Sequence, residues 1–234
     1  MEVRSWHKEA ERKWDIFAAQ WSQNSREMWE SGSRHKIIPL LSSYLQPGDE
    51  ICDLGCGDGY GSILLANKGF KVKGLDISGE MIETAKSRAE GQKNVSFVQG
   101  DLAELPFKEN HFDAILAINS LEWTESPREV LMRIQTILKP GGVACFGILG
   151  PTAGPRQNHS YRRLYGEKVI MNSMMPWEFE QLALENGWAL QQETGVEKRG
   201  VEFEKLGHFS KELKQAVSFM WLFLLINKKE RKAE

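Results

Sequence analysis

The sequence has little of three features that would each indicate a particular environment. It holds only three cysteines in 234 residues, too few for a disulfide framework, and we expect small buried thiols in a reducing cytoplasm. The longest apolar run, Ala216 to Ile226, has 11 residues, whereas a helix needs roughly 20 to span a bilayer. The net charge is -2 and no basic run stands out, which argues against nucleic acid as a partner. No His or Cys cluster completes a metal site.

The middle of the chain alternates short apolar runs with amphipathic segments. Between about residues 49 and 150 five apolar runs predict strands, from "EICDLG" to "VACFGILG". Segments such as "GEMIETAKSRAEGQ" predict the helices between them. This alternation predicts a parallel sheet covered by helices on both faces. Two later runs, "WALQQETGV" and "WLFLLINKK", predict further strands, although the second also fits one buried helix that begins at Lys211.

A loop with four alternating glycines, "DLGCGDGYG" from Asp53 to Gly61, follows the first predicted strand and opens a helix. An ordinary strand–helix turn needs only one or two glycines, so this loop is typical of a ligand site. A dinucleotide fingerprint requires glycine at its first, third and sixth positions, but the sixth position from Gly55 is Tyr60. The Gly-Lys-Ser/Thr ending of a phosphate-binding P-loop is missing as well.

The glycine loop and four later motifs resemble those of class I S-adenosylmethionine-dependent methyltransferases over about residues 46–150. "GLDIS" resembles the motif whose acid holds the ribose, and "GDLAELPF" the motif whose acid faces the adenine amino group. "FDAILAINSLEW" resembles the fourth strand, and "LKPGG" the turn before the fifth. The group it resembles includes the type 11 methyltransferases and the ubiquinone and menaquinone biosynthesis enzymes. The resemblance implies a doubly wound, mostly parallel seven-stranded sheet in the order 3-2-1-4-5-7-6.

The same resemblance implies a set of residues that bind S-adenosylmethionine. They are Asp53, Gly55, Gly57, Asp76, Ile77, Met81, Asp101, Leu102, Ala117 and Arg34. Asp76 suits the two ribose hydroxyls because one carboxylate accepts two hydrogen bonds. Its alternative role is to cap the next helix, which Ser78 would do better. Asp101 is either the adenine ligand or a turn acid.

The remaining cofactor residues have structural alternatives too. Ile77, Met81 and Leu102 would sandwich the adenine, or belong to the core. Ala117 would turn a backbone carbonyl to the methionine amino group. Arg34 would pair with the methionine carboxylate, or lie solvated on the surface. Acidic side chains in the glycine loop would lower the potential around a cationic cofactor.

The catalytic residues are unknown from the sequence, and four candidates lie on the acceptor side. Glu122 and Trp123 follow the fourth strand, where ligands bind in open α/β sheets, but a solvated turn and packing would also explain them. His159 and Tyr161 follow the fifth strand. Arginines around His159, at positions 156, 162 and 163, indicate either an anionic acceptor or a basic surface loop.

The chain therefore predicts a cytoplasmic S-adenosylmethionine-dependent methyltransferase that acts on a small molecule. Neither an Asn/Asp-Pro-Pro-aromatic run nor a Pro-Cys nucleophile follows the fourth strand, which counts against methylation of adenine, glutamine or cytosine. A regulatory protein that binds the cofactor without catalysis, or a nucleotide-cofactor oxidoreductase, remains an alternative. The acceptor and the oligomeric state stay open.

The N-terminal segment differs from the rest of the chain. Residues 1–46 predict helices that carry four tryptophans, and we expect them to form a lid on an α/β domain of residues 47–234. A core of residues 49–150 alone would leave the sulfonium in water, and aromatic side chains supply apolar area to exclude it. The loop of residues 151–166 would complete the cover.

Overall fold

The computed structural model describes residues 5–156, 161–167 and 169–228. Its strands are β1 (Glu50–Leu54), β2 (Lys71–Asp76), β3 (Val95–Gln99), β4 (Phe112–Ile118), β5 (Leu138–Leu149), β6 (Trp188–Glu197) and β7 (Ser218–Asn227). They form one sheet in the order β3-β2-β1-β4-β5-β7-β6. Strands β1 to β5 pair in parallel, and β7 runs antiparallel between β5 and β6. The predicted fold class and strand order are confirmed.

Helices cover both faces of this sheet. Their bounds are α1 (Trp6–Glu30), α2 (Ile37–Ser42), α3 (Tyr60–Asn67), α4 (Gly79–Arg88), α5 (Pro127–Ile137), α6 (Pro176–Glu185) and α7 (Lys211–Ala216). Helix α4 begins where the Ser78 side chain accepts a hydrogen bond from the backbone N–H of Met81 at 3.2 Å, so Ser78 is the predicted cap. No helix in the described part of the chain has both the length and the apolar character of a membrane span.

Strand β7 shows why its apolar run is continuous. Met220, Leu222 and Leu224 pack into the core on one face of the sheet, and the residues between them pack into the core on the other. A central strand that is buried on both faces has no polar alternation. The alternative of one buried helix from Lys211 is wrong, because α7 ends at Ala216 and the chain is extended from Ser218.

Candidate active site

A cavity lies at the edge of the sheet where the parallel strands end, with about 1050 Å³ of empty space that includes its open mouth. Ligands bind at this edge in open α/β sheets. Eight of the ten predicted cofactor residues line it. They are Arg34, Gly55, Gly57, Asp76, Ile77, Met81, Asp101 and Leu102. Residues from four separate parts of the sequence thus meet at one cavity.

The glycine loop lies so close to its neighbours that larger residues would not fit. Gly55 has φ +77°, and a Cβ there would lie 2.5 Å from the Cβ of Ser120. Gly57 has φ +54°, and a Cβ there would lie 3.2 Å from Nε1 of Trp21. Both the left-handed backbone and the close approach require glycine. The conformation of the loop is therefore constrained by its contacts with Ser120 and Trp21 as well as by the cavity that it lines.

Asp76 holds the loop and faces the cavity. Its Oδ2 accepts a hydrogen bond from the N–H of Gly57 at 2.8 Å, and its Oδ1 accepts one from the N–H of Ser78 at 3.0 Å. Each carboxylate oxygen can accept more than one hydrogen bond, so a diol in the cavity still finds acceptors. Burial raises the pKa of Asp76 to about 6, against the effect of these backbone hydrogen bonds.

Two predicted cofactor residues do not line the cavity. Asp53 is buried behind the loop, where it accepts a hydrogen bond from Oγ of Ser62 at 2.6 Å, and burial raises its pKa to about 7. Ala117 is buried within β4, and Ile118 and Asn119 line the cavity instead. Direct contact of Asp53 or Ala117 with a cofactor stays a prediction.

Arg34 is a buried cation, so the alternative of a solvated surface arginine is wrong. It is 4% exposed, and its Cζ lies 4.7 Å from the ring centre of Trp21 and 5.8 Å from that of Trp29. Burial lowers its pKa to about 10, while attraction to Asp58 and Asp53 opposes this shift. Within the described ranges, no carboxylate oxygen lies within 4.0 Å of the Arg34 guanidinium nitrogens, so the guanidinium has no ion pair there. The cavity therefore presents a buried cation that makes no direct ion pair with a carboxylate of the described residues.

Helix α1 crosses the cavity with one face. Four residues seven apart, His7, Trp14, Trp21 and Met28, all line it, because seven residues are close to two helical turns. The ring centre of Trp14 is 5.0 Å from that of Trp123. This spacing of seven residues was readable from the sequence. Sequence reasoning identified the tryptophans as part of a lid but missed His7.

Polar bonds fix α1 to the loops beneath it. Nδ1 of His7 lies 2.5 Å from Oδ2 of Asp101, and Nε1 of Trp6 donates to the carbonyl of Trp123 at 2.7 Å. Asp101 also accepts from the backbone N–H of Ala103, so it is both a turn acid and a residue of the cavity. Sequence reasoning also missed Ser120 and Phe219, which line the cavity.

The four acceptor-side candidates separate in the structure. Trp123 lines the cavity. Glu122 is fully buried and accepts from the N–H of Leu149 rather than facing the cavity, so a solvated turn is ruled out. Tyr161 is 48% exposed and its ring lies against Tyr165. His159 lies outside the described residues.

The predicted arginine cluster is divided as well. Arg156 is 2% exposed, and its Nη2 donates to the carbonyls of Leu149 and Met174. Arg162 pairs with Glu167 on the surface. The interpretation of Arg156 as part of a basic surface loop is wrong, because two backbone carbonyls hold it inside. No group of His, Cys, Asp and Glu in the described ranges could hold a metal ion.

Comparison with known proteins agrees with this geometry. Residues 52–146 match the family model described as a methyltransferase domain. The chain is 32% identical over 121 residues to a demethylmenaquinone methyltransferase of Clavibacter sepedonicus, covering 52% of this chain and 47% of that protein. It is 35% identical over 126 residues to a 2-phytyl-1,4-naphtoquinone methyltransferase of a Nostoc species, covering 50% of this chain and 55% of that protein. The chain thus spans about half the length of these curated relatives.

A solved structure shares the fold over nearly the whole chain. It is described as a methyltransferase in complex with the Trm112 methyltransferase activator of Haloferax volcanii, with a TM-score of 0.73 and 20% identity. The match covers 92% of this chain and 98% of that one. Class I methyltransferases bind S-adenosylmethionine, so the predicted cofactor is confirmed for the family. Residues 52–146 match a methyltransferase domain, and over about half of its length the chain is similar in sequence to S-adenosylmethionine-dependent methyltransferases.

Proposed function

We propose that this chain transfers a methyl group from S-adenosylmethionine to a small-molecule acceptor. One observation carries the proposal: the glycine loop, the Asp76 carboxylate and the buried Arg34 guanidinium all line one cavity. A carboxylate that can accept from a diol and a buried cation without a direct ion pair match the two ends of an amino-acid nucleoside. Phosphate is not needed to explain any of these three features.

Each group has a distinct part in holding the cofactor. Asp76 would accept hydrogen bonds from the ribose hydroxyls, since it lines the cavity and the N–H groups of Gly57 and Ser78 hold its carboxylate in place. Arg34 would pair with the methionine carboxylate, for which the flat faces of Trp21 and Trp29 keep the guanidinium in place. Ile77, Met81 and Leu102 supply apolar surface for the adenine.

The protein itself needs to carry out little covalent chemistry in a methyl transfer. The bound cofactor supplies an electrophilic methyl group on a sulfonium. The residues of this chain position the two reactants and exclude water, and the Trp14 and Trp123 rings form part of that cover. A base is needed only where the acceptor loses a proton.

The curated relatives support a small molecule as the acceptor, since both named above methylate naphthoquinone-type compounds by their printed names. The balanced net charge of -2 gives no support to nucleic acid as the acceptor. The three buried free thiols agree with the cytoplasmic location that the composition predicts. The helices and the loop of residues 151–156 beside the cavity agree with the proposed division into a lid of residues 1–46 and an α/β domain of residues 47–234.

The test separates this function from the two alternatives. Calorimetric titration of the chain with S-adenosylhomocysteine measures cofactor binding, and the Asp76→Ala variant is the control. Incubation with methyl-labelled S-adenosylmethionine and a metabolite extract then measures transfer. Labelled product supports an enzyme, and binding without any labelled product would favour a regulatory protein. Tight binding of a nicotinamide dinucleotide in place of S-adenosylhomocysteine would contradict the proposal.

A further inference from the structure

The cavity has two chemically different halves along the order of the strands. The loops after β1, β2 and β3 form the half with Gly57, Asp76 and Asp101. The second half, here called the β4–β7 half, is formed at the ends of β4 and β5 and the start of β7. Its lining residues are Ile118, Asn119, Ser120, Trp123, Leu149 and Phe219. Because β7 is antiparallel, Phe219 reaches the same edge of the sheet, where its carbonyl accepts from the N–H of Gly150 at 2.9 Å.

The β4–β7 half contains no charged side chain among the described residues. Arg156, which follows β5, is turned to the carbonyls of Leu149 and Met174 and does not line the cavity. The carboxylate of Glu122 is likewise turned to the N–H of Leu149. An anion bound here would be removed from water without a cation to pair with, which is costly. Apolar and aromatic side chains favour an uncharged molecule instead.

Asn119 and Ser120 are polar residues of this half, and each has a buried side-chain oxygen without a hydrogen-bond partner among the described residues. Of the two, Asn119 has the longer side chain and the left-handed backbone. Its Oδ1 is buried and lacks a hydrogen-bond partner, and a buried acceptor without a partner carries a free-energy penalty. Its backbone is left-handed, with φ +53°, a conformation that costs energy for residues other than glycine and that is common at functional sites. The unpaired oxygen is explained if a ligand supplies a donor at this point of the cavity.

We propose that the β4–β7 half binds an uncharged acceptor with an aromatic ring and a hydroxyl group, and that Asn119 accepts a hydrogen bond from that hydroxyl. This inference rests on the proposed function, because it identifies the half beside the cofactor as the acceptor site. Trp123 and Phe219 would supply the surface against which the ring packs. Asn119 is then the residue that selects a hydroxyl-bearing ring over a plain hydrocarbon.

Two matched probes test the charge of the ligand. Calorimetry with 2-naphthol and with 6-hydroxy-2-naphthoate, which adds only a carboxylate, is carried out with and without saturating S-adenosylhomocysteine. We expect 2-naphthol to bind at least about tenfold more tightly, because the carboxylate would be desolvated without a partner. Phe219→Lys should reverse this preference. Equal or tighter binding of the carboxylate by the parent chain would overturn the proposal.

A second variant tests the hydrogen bond. Asn119→Gly keeps the left-handed backbone and removes the amide, so 2-naphthol should bind roughly three- to tenfold more weakly. Asn110 is a matched control, because it also has a left-handed backbone, with φ +50°, and is exposed away from the cavity. Asn110→Gly should leave the affinity unchanged. Equal affinities for the Asn119→Gly variant and the parent would contradict the role of Asn119.

The two proposals fail separately in this design. If S-adenosylhomocysteine binds but the chain does not discriminate between the probes, the acceptor inference is wrong and the proposed function stands. If the probes behave as expected but S-adenosylhomocysteine does not bind, the cavity has the inferred chemistry and the methyltransferase function is wrong.

Discussion

Glu122 and Arg156 bind the two polar backbone groups of one residue, Leu149. Oε1 of Glu122 accepts from the Leu149 N–H at 2.9 Å, and Nη2 of Arg156 donates to the Leu149 carbonyl at 2.8 Å. Burial raises the pKa of Glu122 and lowers that of Arg156, and their mutual attraction opposes both shifts. Since Leu149 lines the cavity, two buried charges fix the position of its wall.

Exchange of either charge should therefore lower the free energy of unfolding. Glu122→Gln keeps an acceptor for the Leu149 N–H, and Arg156→Met keeps the length of the side chain. Each single variant leaves one buried charge unbalanced, so we expect a loss of about 1–3 kcal/mol. The double variant should lose less than the sum, by roughly 1 kcal/mol. Urea unfolding measures all four proteins, and strictly additive losses would mean that the two charges do not interact.

The strands and the glycine loop were predictable because their signals are local. Five strands and the cap at Ser78 follow from periodicity and turn residues, whereas the order of the sheet was implied by the resemblance of the motifs to a known family. The environments of Arg34 and Arg156 were not predictable in this way. Their partners are tryptophan faces and backbone carbonyls that only the folded chain brings together. A lone arginine in a sequence carries no signal that distinguishes such burial from a solvated surface.

Arg34→Met should separate stability from binding. Burial of the Arg34 cation lowers its pKa to about 10, which means that its charge is held at a cost in the protein without ligand. Methionine has a similar length and no charge, so we expect a higher melting temperature and a loss of roughly tenfold or more in S-adenosylhomocysteine affinity. Thermal unfolding and calorimetry give the two values. A variant that is less stable and binds unchanged would show that Arg34 serves the fold.

Cofactor affinity should decline in acid through Asp76. Its pKa is about 6, and the carboxylate form accepts the ribose hydroxyls better than the protonated form. We expect S-adenosylhomocysteine to bind about tenfold more weakly at pH 5 than at pH 7.5, since only roughly a tenth of the Asp76 side chains are ionised at pH 5. Asp76→Asn should bind weakly with no change over this range. Asp53 titrates nearby, so Asp53→Asn is the control and should keep the pH dependence of the parent. A parent-like pH dependence in Asp76→Asn would exclude Asp76 as the cause.

Asp53 should make the protein less stable as the pH rises. The pKa of Asp53 is about 7 in the folded protein and about 4 in the unfolded chain. Between pH 4 and pH 7 the folded protein therefore binds a proton that the unfolded chain has lost. The contribution of Asp53 to the free energy of unfolding is complete below about pH 4 and is lost as the pH rises through 7. Asp53→Asn removes the effect and can still bond to Ser62, so it should gain stability over the parent between pH 5 and pH 8, by at most about 4 kcal/mol. A constant difference across this range would contradict the raised pKa.

The cover formed by α1 is best tested by a short deletion. Removal of residues 1–30 would also remove Trp29, which packs in the core against Gly61, and Ser25, whose Oγ donates to the buried Asp58 at 2.8 Å. Removal of residues 1–13 spares these contacts and takes away the Trp6–Trp123 hydrogen bond and the His7–Asp101 pair.

We expect the protein without residues 1–13 to fold and to bind S-adenosylhomocysteine about tenfold more weakly, because water then reaches the cavity beside Trp123. Trp6→Phe is the matched control, since it keeps the aromatic ring and loses only the N–H donor, and its effect should be about threefold. Circular dichroism checks the fold and calorimetry the affinity. Parent-like affinity in a folded deletion variant would show that the first turns of α1 do not act as a lid.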